Sequence, residues 1–437
     1  VTVEGENGRH FGGHRVRCCG GRGLSPPPAR KRPHGECAAP DGAGHRYWRG
    51  TGRRAELNGL RSNTNYYMLD GVSYTGGAGL LGGPGGGGGG FMGPALAMGA
   101  GGATGLNSPT LDSLQEVRIQ TSTFAPEFGR TPGAQISMTS RSGTNALHGS
   151  AYEYFRNNKF NANDWFANAA GIDRGDMRQN QFGGTLGGAL VKNKTFLFGS
   201  ADLALRQVPQ TVVANVPSLL ARNAAPAVLR PYLRAFPLAN GPDLDNGAAR
   251  FTAVTTNPQN RKSYAARLDH TFSPGNVVFA RYSFTPSNSD QRGSEFQAPS
   301  VISSQDAKSH SATGAWVKSL SARTVNDLRM NFTSNTMSST GVMDSFGGAI
   351  PLRSAVVFPT GVDTSNGAFN LSVLGLSSYT FGARGSNDQK QINVVDGLSI
   401  TAGSHSYKVG FDYPPLDGDE PQRSLLRECH FQWSRSG

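Results

Sequence analysis

LDSLQEVRIQTSTFAPEFGRTPGAQISMTSRSGTNALHGSAYEYFRNNKFNANDWF (residues 111–166) is followed by RQNQFGGTLGGALVKNKTFLFGSADLAL (residues 178–205), and two kinds of β-structure meet inside this stretch. Before Gly143 the apolar positions Val117, Ile119, Ile136 and Met138 suit a small mixed α/β module. After His148 the pattern becomes aromatic alternation, with Tyr152 and Tyr154, then Phe196 and Phe198, on every second position. Such alternation puts those side chains on one face of a strand and the small or polar residues on the other. Segments of about ten residues that read aromatic-out and polar-in are what a membrane-spanning barrel requires.

Working outward, the chain from residue 147 on reads as β-hairpins. Candidate strands are 147–156, 179–190 and 195–205, with Val191-Lys192-Asn193-Lys194 as a short polar turn. Residues 264–272 and 277–284 pair across Ser273-Pro274-Gly275-Asn276, whose Pro and Gly fit a tight turn. Residues 307–320 and 324–333 pair across 321–323, and 391–400 and 404–411 pair across 401–403. The long intervening segments are 207–261 and 334–389. Short turns on one side and long loops on the other form the periplasmic and extracellular asymmetry of outer-membrane barrels. The long segments are therefore expected outside the cell, and the turns 191–194 and 273–276 in the periplasm. A soluble β-sandwich also alternates, but its strands are shorter, and long loops at one end alone would be unusual for it.

Composition permits this reading without revealing it. Among 437 residues, 37% are hydrophobic, and no apolar run approaches the roughly 20 residues of a spanning helix. Much of the glycine lies in a segment at 76–105 that includes GGPGGGGGG (82–90). That run lacks the Lys-Ser/Thr and the strand–helix context of a phosphate-binding loop, and reads as a flexible loop. The net charge of +12 is not a nucleic-acid signature, because half of it sits in residues 1–56, which hold eleven basic and five acidic residues. The rest is spread among polar positions with no basic helix or aromatic-interleaved pattern.

The two ends differ from the middle. Residues 1–56 are rich in Arg, Gly, Pro and His, show no periodicity and carry Cys18, Cys19 and Cys37, three of the four cysteines. No Cys-x-x-Cys spacing supports a zinc site there, and Cys429 lies in an equally aberrant tail at 414–437. Both ends read as frameshifted translation or disordered tails. No signal peptide is visible and the chain starts at Val1, so the expectation is a fragment.

LNGLRSNTNYYMLDGV (57–72), EFGRTPGAQISMTSRSGTNALHGSAYEYFRN (127–157) and QNQFGGTLGGALVKNKTFLFG (179–199) resemble the plug-to-barrel junction of TonB-dependent outer-membrane receptors, more narrowly the Oar-like branch. The resemblance spans 57–413. It implies a mainly β fold: a small α/β plug domain at 57–145, then antiparallel transmembrane strands of a β-barrel at 146–413. About nine candidate strands against the roughly 22 that hold a plug leave the barrel incomplete.

The plug and hinge motif residues singled out are Asn58, Gly59, Arg61, Asp70, Gly71, Glu127, Gly129, Arg130, Ser142, Gly143, Thr144 and Asn145. Asp70-Gly71 reads as a tight turn, with Gly71 supplying a positive φ. An acid–base role for Asp70 would need a neighbouring carboxylate or histidine, and the sequence places none there. Glu127 and Arg130 offer a structural ion pair, and residues 142–145 a sharp change of direction into the barrel. The resemblance further implies contact with outer-membrane lipid, an unidentified substrate and the energy-transducing TonB–ExbB–ExbD complex, whose docking box is not found in the chain. No haem or metal-ligand cluster is visible and no cofactor is expected. A surface β-rich adhesin is the alternative. An enzyme has least support, since His148, His270, His310 and His405 are scattered over strand faces with no nucleophile or metal partner.

Overall fold

The computed structural model describes residues 66–74, 109–121, 134–160, 162, 176–244, 246–294, 297–373 and 375–413, with the backbone of 416–418 and 425–431. Two sheets are formed. The small one has four strands, β1 (Tyr66–Leu69), β2 (Val72–Ser73), β3 (Leu114–Gln120) and β4 (Gln135–Ser140), in the order β2-β1-β4-β3. β1 runs parallel to β4 and the other pairs are antiparallel. Among its described residues the only helical piece is a 3₁₀ turn, Leu111–Ser113. Tyr67, Leu69, Leu114, Ile136 and Met138 form its core.

The large sheet carries nine long strands: β5 (His148–Asn157), β6 (Arg178–Val191), β7 (Thr195–Pro217), β8 (Ala248–Ser273), β9 (Asn276–Ser294), β10 (Gln297–Ser321), β11 (Thr324–Met343), β13 (Tyr379–Ala402) and β14 (His405–Tyr413). Shorter strands β12 (Gly367–Val373), β15 (Leu416–Gly418) and β16 (Leu425–Phe431) attach near β13. Consecutive long strands pair antiparallel in meander order, and among the described residues β5 and β14 do not pair. The nine strands expected from the sequence are present, but β7 to β11 and β13 run 19 to 26 residues, well past their expected ends. The polar continuations lacked the apolar alternation from which strands are recognised, so they read as loops.

Register shows why the pattern alternates. Gly188, Leu197, Leu268, Ala280, Gly314, Met330, Val394 and Tyr413 lie opposite one another across eight strands, all on the outward face. One residue along, Phe198, Arg267, Arg281, Thr313, Asn331 and Asn393 form the adjacent row on the inward face. Outward positions that are apolar except for His270 run from Phe272 to Tyr264 on β8, about 27 Å at 3.4 Å per residue, close to the roughly 25 Å height of a lipid-facing band. The band ends on a row holding Tyr264, Phe284 and His310. Beyond that row charged and polar side chains join the outward positions, among them Lys262, Lys308, Thr336 and Asp388, alongside apolar ones such as Leu203 and Leu205.

Four rings depart from the aromatic-out expectation. Tyr152, Tyr154, Phe196 and Phe198 share the inward register, and Tyr152 and Phe198 sit over Gly183 and Gly187 of β6, where a side chain would collide with them. Alternation identifies two faces but cannot say which one meets lipid.

Short turns gather at one end of the sheet, at 192–194, 274–275, 322–323 and 403–404. At the other end residues 218–247 and 344–378 pack into a second core of Val216, Phe236, Phe251, Val301, Phe358 and Phe369. Buried Arg222 ties this cap together by donating to the carbonyls of Pro217 and Phe236 at 3.0 and 3.2 Å and to that of Pro237. No carboxylate partners it among these bonds, and desolvation pulls it down to about 10. Arg292 of β9 clasps Asp344 with both terminal nitrogens and stacks 4.4 Å from the Phe346 ring.

Two outcomes follow from these features. Leu268→Arg, at mid-band on the outward face, costs about 2–4 kcal/mol of stability in lipid vesicles. Thr256→Arg, on the same face beyond the aromatic row, shifts it by less than about 0.5 kcal/mol; urea titration followed by heat-modifiable gel mobility reads both. Burial works against the Asp344 carboxylate, but bonds from Arg292 and the Phe346 amide outweigh it and hold it below the usual range. A depressed carboxylate stabilises fully above the ordinary value of about 3.9, and this is lost as pH falls through the lower folded value. Protection of the cap amides, corrected for the intrinsic exchange rate at each pH, is therefore steady from neutral pH down to about pH 5 and falls below about pH 4, an acid response that Asp344→Asn removes.

Candidate functional site

The small sheet docks on the inward face of the large one through one turn. Asp70 and Gly71 join β1 to β2 with φ of 53° and 79°, a two-residue hairpin turn of the kind Asp-Gly favours because both residues adopt positive φ. Beyond geometry, the turn carries charge. The Asp70 side chain is 1% exposed and accepts from the Ser140 backbone N–H at 2.8 Å and the Ser140 hydroxyl at 2.9 Å. Two guanidinium groups reach it from neighbouring strands: Arg281 Nε at 2.8 Å and Arg267 Nη1 at 3.3 Å. A third, Arg329, donates to the Asp70 carbonyl. Gly71 has no room for a side chain, since a Cβ would lie 2.0 Å from Arg329 Nη1.

The arginines are themselves held. Arg267 donates to Asp269 at 2.7 to 3.1 Å and to the Ser140 hydroxyl at 2.7 Å. Arg281 donates to Thr313 at 3.1 Å, and Arg329 to Asp327 at 2.7 and 2.8 Å. Asn393, at the far end of the same inward row, accepts from the Ser73 N–H at 2.8 Å. Tyr74 completes the contact; burial drives its phenol well above the ordinary range against the pull of Arg281. Such a buried, multiply bonded ion cluster fixes position, and loss of one member leaves an uncompensated charge. It contains no nucleophile–base pair.

Of the residues singled out in the sequence, Asn58, Gly59, Arg61, Glu127, Gly129 and Arg130 lie outside the described residues. Ser142 to Asn145 carry the chain from β4 to β5 and are pinned to the β6–β7 turn. Asn145 donates to the Asn193 side chain at 2.6 Å and accepts from its backbone at 2.8 Å. Gly143 lies so close to the backbone of β6 and β7 that a Cβ would meet the Leu197 and Gly188 carbonyls at 2.6 and 2.7 Å. Thr144 donates to the Ala146 carbonyl at 2.9 Å, and Ser142 to that of Gly143. The direction change is thus a fixed bend rather than a loose joint.

The sequence reading missed Arg267, Arg281, Arg329 and Asn393. A signal existed: the three arginines stand at inward positions between apolar neighbours in AARLDH, FARYSF and DLRMNF. Positive charge at the small-or-polar position of a membrane strand points to a partner inside. The histidines stay local, His270 on Thr195 and His310 on Tyr282, both at 2.8 Å. Among the described residues no cluster of three potential metal ligands occurs.

Comparison with known proteins agrees with this architecture. An outer-membrane β-barrel domain family matches residues 139–227 and 221–424. The TonB-dependent transporter Oar of Myxococcus xanthus is 32% identical over 174 residues, 36% of this chain and 13% of that protein. The crystal structure of the outer-membrane transporter YddB from Escherichia coli aligns with a TM-score of 0.50 at 13% identity, over 84% of this chain and 42% of that one. This last is a likeness of fold alone. The chain therefore spans less than half the length of either relative.

Asp70→Asn leaves the 5%-exposed Arg281 without its anion, while Arg267 keeps Asp269, and weakens docking of the small sheet by about 3–5 kcal/mol. Limited proteolysis of the folded protein checks this, with cleavage within 66–140 at concentrations of protease that spare the native chain.

Proposed function

We propose that this chain, which belongs to the outer-membrane β-barrel family, is the plug and the adjoining wall of an energised outer-membrane transporter. It resides in the bacterial outer membrane. In this reading residues 57–145 are the plug, with 76–105 as its glycine-rich loop. Residues 146–413 are barrel wall, to which the short strands β15 and β16 of the 414–437 segment add at β13 and β12, and residues 1–56 stand outside both. The short-turn end faces the periplasm, and the cap formed by 218–247 and 344–378 faces the medium. The protein moves a substrate and performs no covalent chemistry on it. Its energy comes from the TonB–ExbB–ExbD complex acting on a segment ahead of the plug.

The observation that carries this reading is the position of Asp70: a buried carboxylate of the small sheet held by arginines from separate strands, all on the inward face of a wall whose outward face is apolar. A plug must seal a polar lumen and still be removable. Charge pairs serve both needs, since water can solvate the partners once they part, whereas an apolar seal would have no such compensation. The Glu127–Arg130 pair and the fixed bend at 142–145 are proposed to anchor the plug at its base.

The test uses the gene at its native locus. Deletion of residues 57–145 admits vancomycin, which the intact outer membrane excludes, while a strain with the unaltered gene remains resistant. Equal resistance in the two strains, with the deleted form present in the outer membrane, refutes the plug assignment.

A further inference from the structure

The inward face above the docking row carries positive charge that the plug does not use. Arg156 of β5, Arg206 of β7 and Arg261 of β8 all lie in inward register: Arg156 is opposite Gln179, Gln179 opposite Arg206, and Arg206 opposite Gln259, with Arg261 one pair further along opposite Ala204. The Arg206 row lies eight residues along β7 from Phe198, about 27 Å toward the cap at the usual rise per residue. Among the described residues a single carboxylate answers these three cations. Asp202, fully buried, already accepts from the Tyr152 hydroxyl at 2.8 Å and Gln181 Nε2 at 2.9 Å, and has Arg261 at 3.5 Å. Arg206 Nε is buried and makes no hydrogen bond among the described residues. Neighbouring wall positions offer the amide Gln179 and the hydroxyls Ser287 and Ser289.

A buried guanidinium nitrogen without an acceptor, beside a second guanidinium, is a costly arrangement that an oxyanion relieves by accepting from both. Carboxylates and phosphates fit the planar fork of arginine, which binds them through two parallel bonds. The outward side of the same strands offers no equivalent. Lys262 and Lys308 stand there on separate strands, exposed, flanking Pro286.

We propose that Arg206 and Arg261, with Arg156 at the rim, form an oxyanion subsite on the lumen wall that receives a carboxylate or phosphate group of the transported substrate before it reaches the plug. This rests on the transport reading and adds a substrate class to it.

Citrate serves as the probe and raffinose as the neutral control, with binding to the full chain in lipid nanodiscs measured by calorimetry. Arg206→Gln weakens citrate binding by about ten-fold or more, as expected for loss of a charged hydrogen-bonding partner. Lys262→Gln removes the same charge from the outward face of the neighbouring strand and changes binding less than about two-fold. Raffinose binds no variant better than another. Equal loss in the two variants would mean general charge attraction, and wild-type affinity in Arg206→Gln would mean no subsite; either overturns the proposal. Arg206→Lys retains charge and partial affinity, so a fold lost in the glutamine variant alone is recognised. Citrate binding that depends on Arg206 in a chain whose plug deletion leaves vancomycin excluded would keep the subsite and discard the transport reading. The reverse pair of results would discard the subsite alone.

Discussion

A carboxylate from one sheet held by guanidinium groups from another is the constraint on which the arrangement turns. Asp70 is buried, and its carboxylate is tolerated there because Arg267, Arg281 and the Ser140 amide and hydroxyl surround it. The arginines in turn would be costly on a strand that borders lipid unless a partner stood inside. Each side of the interface thus makes the other tolerable. The same bonds fix orientation: Gly71 must lack a side chain so that Arg329 can reach the Asp70 carbonyl, and the turn must take positive φ at both positions to present the carboxylate and the carbonyl together.

From that contact the two faces of the wall acquire their meaning. Each strand alternates, but the row bearing Arg267, Arg281, Thr313, Asn331 and Asn393 is inward because the small sheet lies against it. The row one residue away, from Leu197 to Tyr413, is then outward and wholly apolar or glycine. A slip of one residue at any pair would exchange them, placing arginine in lipid and leucine in the lumen. The arginines therefore enforce register across β8, β9 and β11 as well as docking the turn.

The extended strands serve a different purpose. Past the Tyr264 row the outward face is mixed, with charged and polar side chains among apolar ones, and the strands continue for on the order of 50 Å on β8. There the core is no longer plug against wall but loop against loop, with aromatic residues of 218–247 and 344–378 packed on the strand ends. The Arg292–Asp344 clasp and the buried Arg222 hold that cap in one arrangement. A cap with its own core presents a fixed surface to whatever approaches the lumen.

The sequence by itself determined what is local. Period-two alternation located all nine long strands, Asn and Gly at 193, 275 and 403 marked the short turns, and Asp70-Gly71 announced its positive-φ turn. These depend on backbone preferences and on one side of a strand differing from the other, which any window of ten residues records. Tertiary structure decided what depends on two distant segments meeting. It turned Tyr152 and Phe198 inward over glycines, carried polar stretches such as 206–217 and 248–261 into strands by pairing them with each other, and brought Arg267, Arg281 and Arg329 to an aspartate some two hundred residues away. The signal for those arginines was present in their apolar flanks, but their partner was not. A charge in a strand declares that something must answer it, and only the fold brings the answering group within hydrogen-bond distance.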